Sequence, residues 1–282
     1  MMKTSRFLLA AGIMLALAST LSCSGDDGSD GTPGTNGEPG QNGTSCVPED
    51  GGAYLVIKCG EQQTKLPKAM CGVYAYDPEE MVCRNNVLSF TFVDARDSET
   101  YKAVYIGEQI WMAENLNFIP SSNTGSKCYA DDLANCVKYG RLYNWNTAMA
   151  TTASSTAVPS GVQDICPAGW HLPSNAEWDV LIDFAGGVWT AGAELKTKRD
   201  WTGDRDSEEN FDTYGFSALP GGLGEDGSFK FVGSYGYWWS SSESDSDEAI
   251  LYYMGGDYKD ARPYNYDKNT FVSVRCLKTE SQ

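Results

Sequence analysis

Cysteine placement constrains this chain more than any other feature. Nine cysteines stand at 23, 46, 59, 71, 83, 128, 136, 166 and 276, behind a leader in which Lys3 and Arg6 precede an apolar stretch from Phe7 to Leu17. That stretch is too short to span a bilayer comfortably and has the charge pattern of an export signal. An exported chain rich in cysteine folds as a disulfide framework, with its bridges doing part of the work of a core. No Cys-x-x-Cys occurs, so neither a thioredoxin-like redox centre nor a zinc ribbon is supported.

Two cleavage readings compete. Ala16-Leu17-Ala18 is an ordinary signal-peptidase site, whereas Thr20-Leu21-Ser22-Cys23 resembles a bacterial lipobox with Thr20 in place of the usual Leu. Parity favours the lipobox, because giving Cys23 to a lipid leaves eight cysteines that can pair completely. Ser24-Gly25-Asp26-Asp27 then resembles the acidic export signals of bacterial surface lipoproteins. Residues 1–22 are accordingly read as a lipoprotein signal peptide, and the chain as an outer-membrane lipoprotein exposed at the cell surface. Its contact with the membrane is through the lipid alone. Residues 23–45 carry the lipidated Cys23 and a collagen-like linker, with Gly at 25, 28, 31, 34, 37, 40 and 43 and Pro33 and Pro39 in the third position of their triplets. The stretch is read as a solvated spacer, reaching roughly 65 Å as polyproline II or about 25 Å as a coil. Trimerisation through it is the alternative.

Eight cysteines allow about a hundred pairings. Chain proximity suggests Cys46–Cys59, Cys71–Cys83 and Cys128–Cys136, which leaves Cys166 for Cys276. The first two would staple a small module over residues 46–89 that contains a strand at Tyr54-Leu55-Val56-Ile57. The last would tie the chain end back to its middle, as in a fold whose terminal strands are neighbours.

Residues 90–282 form the head. Phe90 to Val93 and Tyr101 to Ile106 alternate as strands, and Gly107-Glu108 turns into Gln109-Ile110-Trp111-Met112. Leu142, Trp145 and Met149 share a helical face within Tyr139 to Met149, predicting a first helix. Ser174-Asn175-Ala176-Glu177 is a capping-box pattern ahead of Trp178, Leu181, Ile182 and Ala185, with Gly186-Gly187 as the stop, predicting a second. Short aromatic strands alternate with Gly-rich turns from Phe211 onward, among them Gly215 to Pro220, Phe229 to Phe231, Tyr237 to Trp239, Ile250 to Tyr253 and Phe271 to Cys276. Two helices before a loop-rich antiparallel sheet predict an α+β head.

The same residues carry a family resemblance. Tyr105-Ile106-Gly107-Glu108-Gln109-Ile110-Trp111-Met112-Ala113-Glu114-Asn115-Leu116 resembles the opening motif of the Fibrobacter succinogenes major paralogous domain. Tyr139 to Trp145, Cys166-Pro167-Ala168-Gly169-Trp170-His171-Leu172-Pro173, Gly215 to Gly222, Trp238 to Glu243 and Ser273-Val274-Arg275-Cys276 resemble its later blocks, in order. The resemblance implies a C-type-lectin-like fold, distantly similar to the formylglycine-generating enzyme superfamily, on a secreted or surface lipoprotein. It brings no established activity with it. Oxidation chemistry of the formylglycine-generating kind needs a reactive cysteine pair late in the fold, and Cys276 is the only cysteine after Cys166.

Function is then bounded by chemistry. A net charge of −17 argues against nucleic acid as a partner, because phosphate neutralisation needs an excess of Lys and Arg. The single histidine, His171, excludes multi-His metal sites. With no Gly-x-Ser-x-Gly elbow, it is read as a hydrogen-bonded structural residue; no catalytic residue is assigned and no enzyme is expected. The acidic loops Asp204 to Asp212 and Ser240 to Glu248 offer oxygen ligands of the kind calcium takes, but without a calcium motif; they are read as solvated loops, and no metal ligand or cofactor is assigned. Tyrosine and tryptophan crowd the last fifty residues: Tyr235, Tyr237, Trp238, Trp239, Tyr252, Tyr253, Tyr258, Tyr264 and Tyr266. Rigid aromatics give contact area at low entropic cost, and their faces stack on sugars. In the polar loop from Asp257 to Tyr266, Tyr258, Arg262, Tyr264 and Tyr266 are the candidate ligand-binding residues. The expected partner is an extracellular polysaccharide, with a surface protein as the alternative.

Overall fold

Local turn chemistry and alternation decide most of the chain's path. The computed structural model describes residues 46–279 except 60, 122 and 204–209. The leader, Cys23 and the Gly-rich linker lie outside the described residues. Strands β1 (Cys46–Gly51), β2 (Tyr54–Cys59) and β3 (Gln62–Pro67) form an antiparallel meander whose register sets Cys46 opposite Cys59. The β4 (Ala69–Cys71) and β5 (Tyr74–Tyr76) hairpin follows, and Cys71 is bridged to Cys83 in β6 (Val82–Arg84). β6 pairs with β7 (Val87–Val93), which pairs with β8 (Thr100–Ile106), so the sheet runs through residues 89 and 90 without a break. Tyr74 strengthens that continuity by donating its hydroxyl to the Gly107 carbonyl at 2.8 Å.

The alternating stretches fold as the hairpin their sequence predicts, β8 turning at Gly107 into β9 (Gln109–Met112). After β10 (Ser126–Lys127) come helix α1 (Leu133–Tyr139), β11 (Leu142–Tyr143), helix α2 (Trp145–Met149), β12 (Trp170–His171) and helices α3 (Asn175–Phe184) and α4 (Ala191–Leu195). The chain finishes with β13 (Leu223–Glu225), β14 (Ser228–Lys230), β15 (Tyr235–Glu243), β16 (Glu248–Gly255), β17 (Ala261–Asp267), β18 (Val272–Ser273) and β19 (Leu277–Lys278). Two six-stranded sheets result, in the orders β12-β19-β9-β8-β7-β6 and β10-β11-β18-β15-β16-β17.

The α+β expectation is corrected here. Among the described residues strands hold 39% and helices 14%, the four helices being short, so the fold is β-rich. The predicted helix over Tyr139 to Met149 does not form as one element. Gly140 adopts φ 74°, where a Cβ would lie 2.7 Å from that of Asn115, and this ends α1. Leu142 then sits in a strand, and the Asn144 side chain accepts from the Thr147 N–H to start α2 afresh. The stretch Gly215 to Pro220, read as a strand, keeps only an isolated bridge at Ala218. The α3 reading holds, with both halves of the Ser174/Glu177 capping box made and the Gly187 N–H closing the end on the Ile182 carbonyl.

Two cores flank the sheets. One holds Tyr101, Ala103, Met112, Tyr143, Trp239 and Leu251; the other holds Val104, Trp111, Trp238, Tyr252 and the inner face of α3, led by Trp178. β8 therefore buries both of its faces. Trp178 stacks on Tyr252 with ring centroids 5.1 Å apart and meets Trp111 at 4.8 Å.

Between the cores lies a fully buried guanidinium. Arg275 donates from Nε (3.1 Å) and Nη2 (2.8 Å) to Asn115 Oδ1 and from Nη1 to the Phe216 carbonyl, under the Phe216 ring at 4.2 Å. The same Asn115 oxygen accepts Trp238 Nε1 at 2.8 Å, while its Nδ2 donates to the Tyr139 carbonyl and to Ser273 Oγ. Burial pulls the Arg275 pKa down to about 9, which leaves it charged at neutral pH.

Two outcomes follow for stability. Asn115→Ala strips a buried cation of the oxygen that accepts two of its N–H groups and is expected to cost about 3–5 kcal/mol, more than Arg275→Met, which removes the charge itself; denaturant titration compares them. The structure also contains Cys128–Cys136 and Cys166–Cys276, as chain proximity suggested. Replacing Cys166 and Cys276 with Ser opens a loop of 110 residues. That pair is expected to cost about 4–5 kcal/mol, more than opening the short Cys128–Cys136 loop.

Candidate functional aromatic face

β17 is the edge of its sheet, and its register decides which rings meet. Arg262, Tyr264 and Tyr266 pair with Tyr253, Leu251 and Ala249 of β16, and Tyr253 pairs with Tyr237 of β15. Because side chains alternate across a strand, these residues share the face that buries Trp239 and Leu251 in the first core. At the margin of that core, against which Tyr237, Tyr253 and Tyr266 pack, the face continues as rings. Phe231 meets Tyr235 at 5.7 Å, Tyr235 meets Tyr237 at 6.0 Å, Tyr237 meets Tyr253 at 6.3 Å, Tyr253 meets Tyr264 at 6.4 Å and Tyr264 meets Tyr266 at 6.0 Å.

Of the four candidates read from the sequence, Tyr264 and Tyr266 lie in this run. Arg262 is on its margin, bound to Asp260 at 2.5 Å and covering the exposed Trp189 ring at 4.3 Å. Tyr258 is in the turn before β17, 53% exposed, beside Tyr235, with its carbonyl accepting from Lys196 Nζ at 2.6 Å. The segment read as a polar loop is thus a turn followed by a strand. Sequence reasoning left Phe231 out of the aromatic inventory and did not select Tyr235, Tyr237 or Tyr253 as contacts. The alternation in Tyr235-Gly236-Tyr237 and the register of β15 on β16 would have found the tyrosines.

Electrostatics on this face come from burial and acid. Burial first, then neighbouring phenols and the carboxylates of Asp257 and Asp260, raises the Tyr235 pKa. Burial does the same to Tyr237, Tyr253 and Tyr266, with Glu225 adding to the shift at Tyr237 and Tyr266. Along the edge strand, a groove of about 600 Å³ is lined by Asn175, Asp179, Ile250, Pro263 and Asn265 and reaches Tyr264.

The other sequence candidates occupy different places. His171 is buried, its Nε2 2.8 Å from Glu177 Oε1 and its Nδ1 2.9 Å from Thr279 Oγ1. The other Glu177 oxygen accepts the Ser174 and Ser160 N–H groups, so the ring ties the α3 cap to the chain end. It also lines a cavity of about 600 Å³ with Ile110, Val158, Val180 and Leu277. Most of the first acidic loop lies outside the described residues. In the second, Asp245 accepts the Asp247 and Glu248 N–H groups and Glu243 binds Lys268 at 2.7 Å. Among the described residues no group of three or more His, Cys, Asp or Glu side chains is placed to hold a metal ion.

A family model described as the Fibrobacter succinogenes major domain matches residues 104–278. The chain belongs to this family. No curated protein and no solved structure matches it. The matched span of the Fibrobacter succinogenes major domain contains the whole Asn115–Arg275 cluster and all six rings of the aromatic face.

Burial holds Tyr101, Tyr143, Tyr237 and Tyr252 protonated well above the ordinary 10.0. Their contribution to stability is complete below about pH 10 and is lost as pH rises beyond it, because the unfolded chain releases those protons first. Arg275, whose pKa burial lowers to about 9, acts in the opposite direction above that pH, one guanidinium against four phenols. The denaturant midpoint is therefore expected to fall steeply above about pH 10, with phenolate absorbance from these rings appearing together with unfolding.

Proposed function

We propose that this chain is an outer-membrane lipoprotein, anchored through Cys23 and exposed at the cell surface, whose head binds extracellular polysaccharide without catalysing a reaction on it. The observation that carries the reading is the run Phe231–Tyr235–Tyr237–Tyr253–Tyr264–Tyr266. Large exposed rings gathered on one side of a protein mark an interaction surface, since a soluble domain otherwise keeps such area covered. Tyrosine combines an apolar face with a hydroxyl at its tip, which matches a sugar's apolar C–H face and hydroxyl rim. The lipobox-like Thr20 to Cys23 and the acidic residues after it support the surface address.

The test is retention of the oxidised chain on a panel of soluble and insoluble polysaccharides, with calcium and with chelator. Retention that survives the chelator and drops about tenfold in Tyr264→Ala, a loss of about 1.4 kcal/mol, is expected. Calcium-dependent retention would move the ligand to the acidic loops. A monodisperse, folded sample that no glycan retains, but that captures a defined envelope protein, would replace this reading with a protein-binding scaffold.

A further inference from the structure

The rings of this face do not share a plane. Tyr235 and Tyr237 lie within 21° of one another, and Tyr237 and Tyr253 within 33°. At the ends the rings turn: Phe231 stands at 70° to Tyr235, and Tyr264 at 85° to Tyr253. The three middle rings are half-buried, whereas Phe231 is 46% and Tyr264 58% exposed. From Phe231 to Tyr264 the run is therefore a trough, with a recessed floor of near-parallel rings and an upright ring at each end, and the half-buried Tyr266 lies beyond Tyr264 at 55° to it. A flat crystalline face touches only rings that share its plane, so it would rest on the end rings and miss the floor. A single chain can lie between them, and the steps of 5.7–6.4 Å from ring to ring are close to the breadth of one pyranose.

Charge narrows the ligand further. The cations beside the rings are already engaged: Lys230 by Glu225 at 3.1 Å and Arg262 by Asp260 at 2.5 Å. Glu225 reaches Tyr266, and Asp257 and Asp260 act on Tyr235. The chain as a whole carries −17. Each pair compensates itself, so a polyuronate laid along the trough would gain a cation from neither and would bring its carboxylates to a chain of net charge −17, which opposes binding.

Resting on the polysaccharide reading above, we infer that the trough takes a single, uncharged polysaccharide chain and discriminates against both crystalline polysaccharide faces and polyuronates. Affinity electrophoresis of the oxidised full chain tests this in gels containing hydroxyethyl cellulose, xyloglucan or galactomannan, which are soluble and neutral, and in gels containing polygalacturonate. Depletion onto microcrystalline cellulose completes the set. At least one neutral chain is expected to retard the protein. Polygalacturonate should be at least about tenfold weaker at low salt, with the gap narrowing as salt screens the repulsion. Microcrystalline cellulose should leave the protein in solution. Tyr235→Ala and Tyr264→Ala should each weaken the neutral interaction about tenfold, with Tyr264→Phe retaining it, because the ring makes the contact. Ring-dependent binding to polygalacturonate or microcrystalline cellulose as tight as to the neutral chains would overturn this inference and leave polysaccharide binding standing. Failure of a folded sample to bind any of the five would overturn both.

Discussion

The buried Arg275 guanidinium is the constraint on which the rest of this structure depends. A buried cation must be surrounded by acceptors, and these come from different parts of the chain: Asn115 Oδ1 after β9 and the Phe216 and Ser217 carbonyls before β13. Asn115 is itself held by the Trp238 indole of β15, which donates to the same oxygen, and by the Tyr139 carbonyl at the end of α1, which accepts from its amide. Five of the sequence blocks that mark the family converge on this one cluster. Their order along the chain reads as a list of short motifs; in space they are one polar joint between two apolar cores. The β18–β19 segment that carries Arg275 is held at this joint and again by the Cys166–Cys276 bridge, and β19 lies between β12 and β9.

Fixing that segment has a consequence at the far side of the sheet. β18 pairs with β11 on one side and with β15 on the other, and β15, β16 and β17 follow outward to an uncovered edge. Trp238 and Tyr252 are committed to the core that packs α3, so the residues alternating with them, Tyr237 and Tyr253, are turned the other way. The aromatic face is thus the margin of the first core, on the side of the strands opposite to Trp238 and Tyr252. Its chemistry is inherited from the packing, while its exposure comes from the edge position of β17.

Legibility in the sequence tracked the range of the interactions. Elements with local signals could be read: the Ser174/Glu177 box starts α3, and the β7–β8–β9 alternation gives strands and turns where expected. The helix over Tyr139 to Met149 could not, because Leu142, Trp145 and Met149 match a helical face by spacing while Gly140 and Asn144 cut the backbone into three elements. Overweighting that spacing also led to the α+β expectation for a β-rich chain. At the candidate face, Tyr264 was legible as an exposed tyrosine, while Tyr266 is half-buried against the core, and the floor was not legible, since Tyr237 joins them only through strand register. The Asn115–Arg275 contact spans 160 residues, and nothing local in either motif announces it.

The proposed division of labour is between the partly exposed tyrosines of the aromatic face, which bind polysaccharide, and the buried Tyr101, Tyr143 and Tyr252, which serve the fold. Ring-proton spectra of the oxidised chain with labelled tyrosine, titrated with a soluble neutral polysaccharide, test it most directly. The account predicts that the signals of Tyr235, Tyr237, Tyr253, Tyr264 and Tyr266 move in a saturable way while those of Tyr101, Tyr143 and Tyr252 stay in place. Saturable shifts confined to the other tyrosines, or a titration that leaves all of them unmoved, would contradict it.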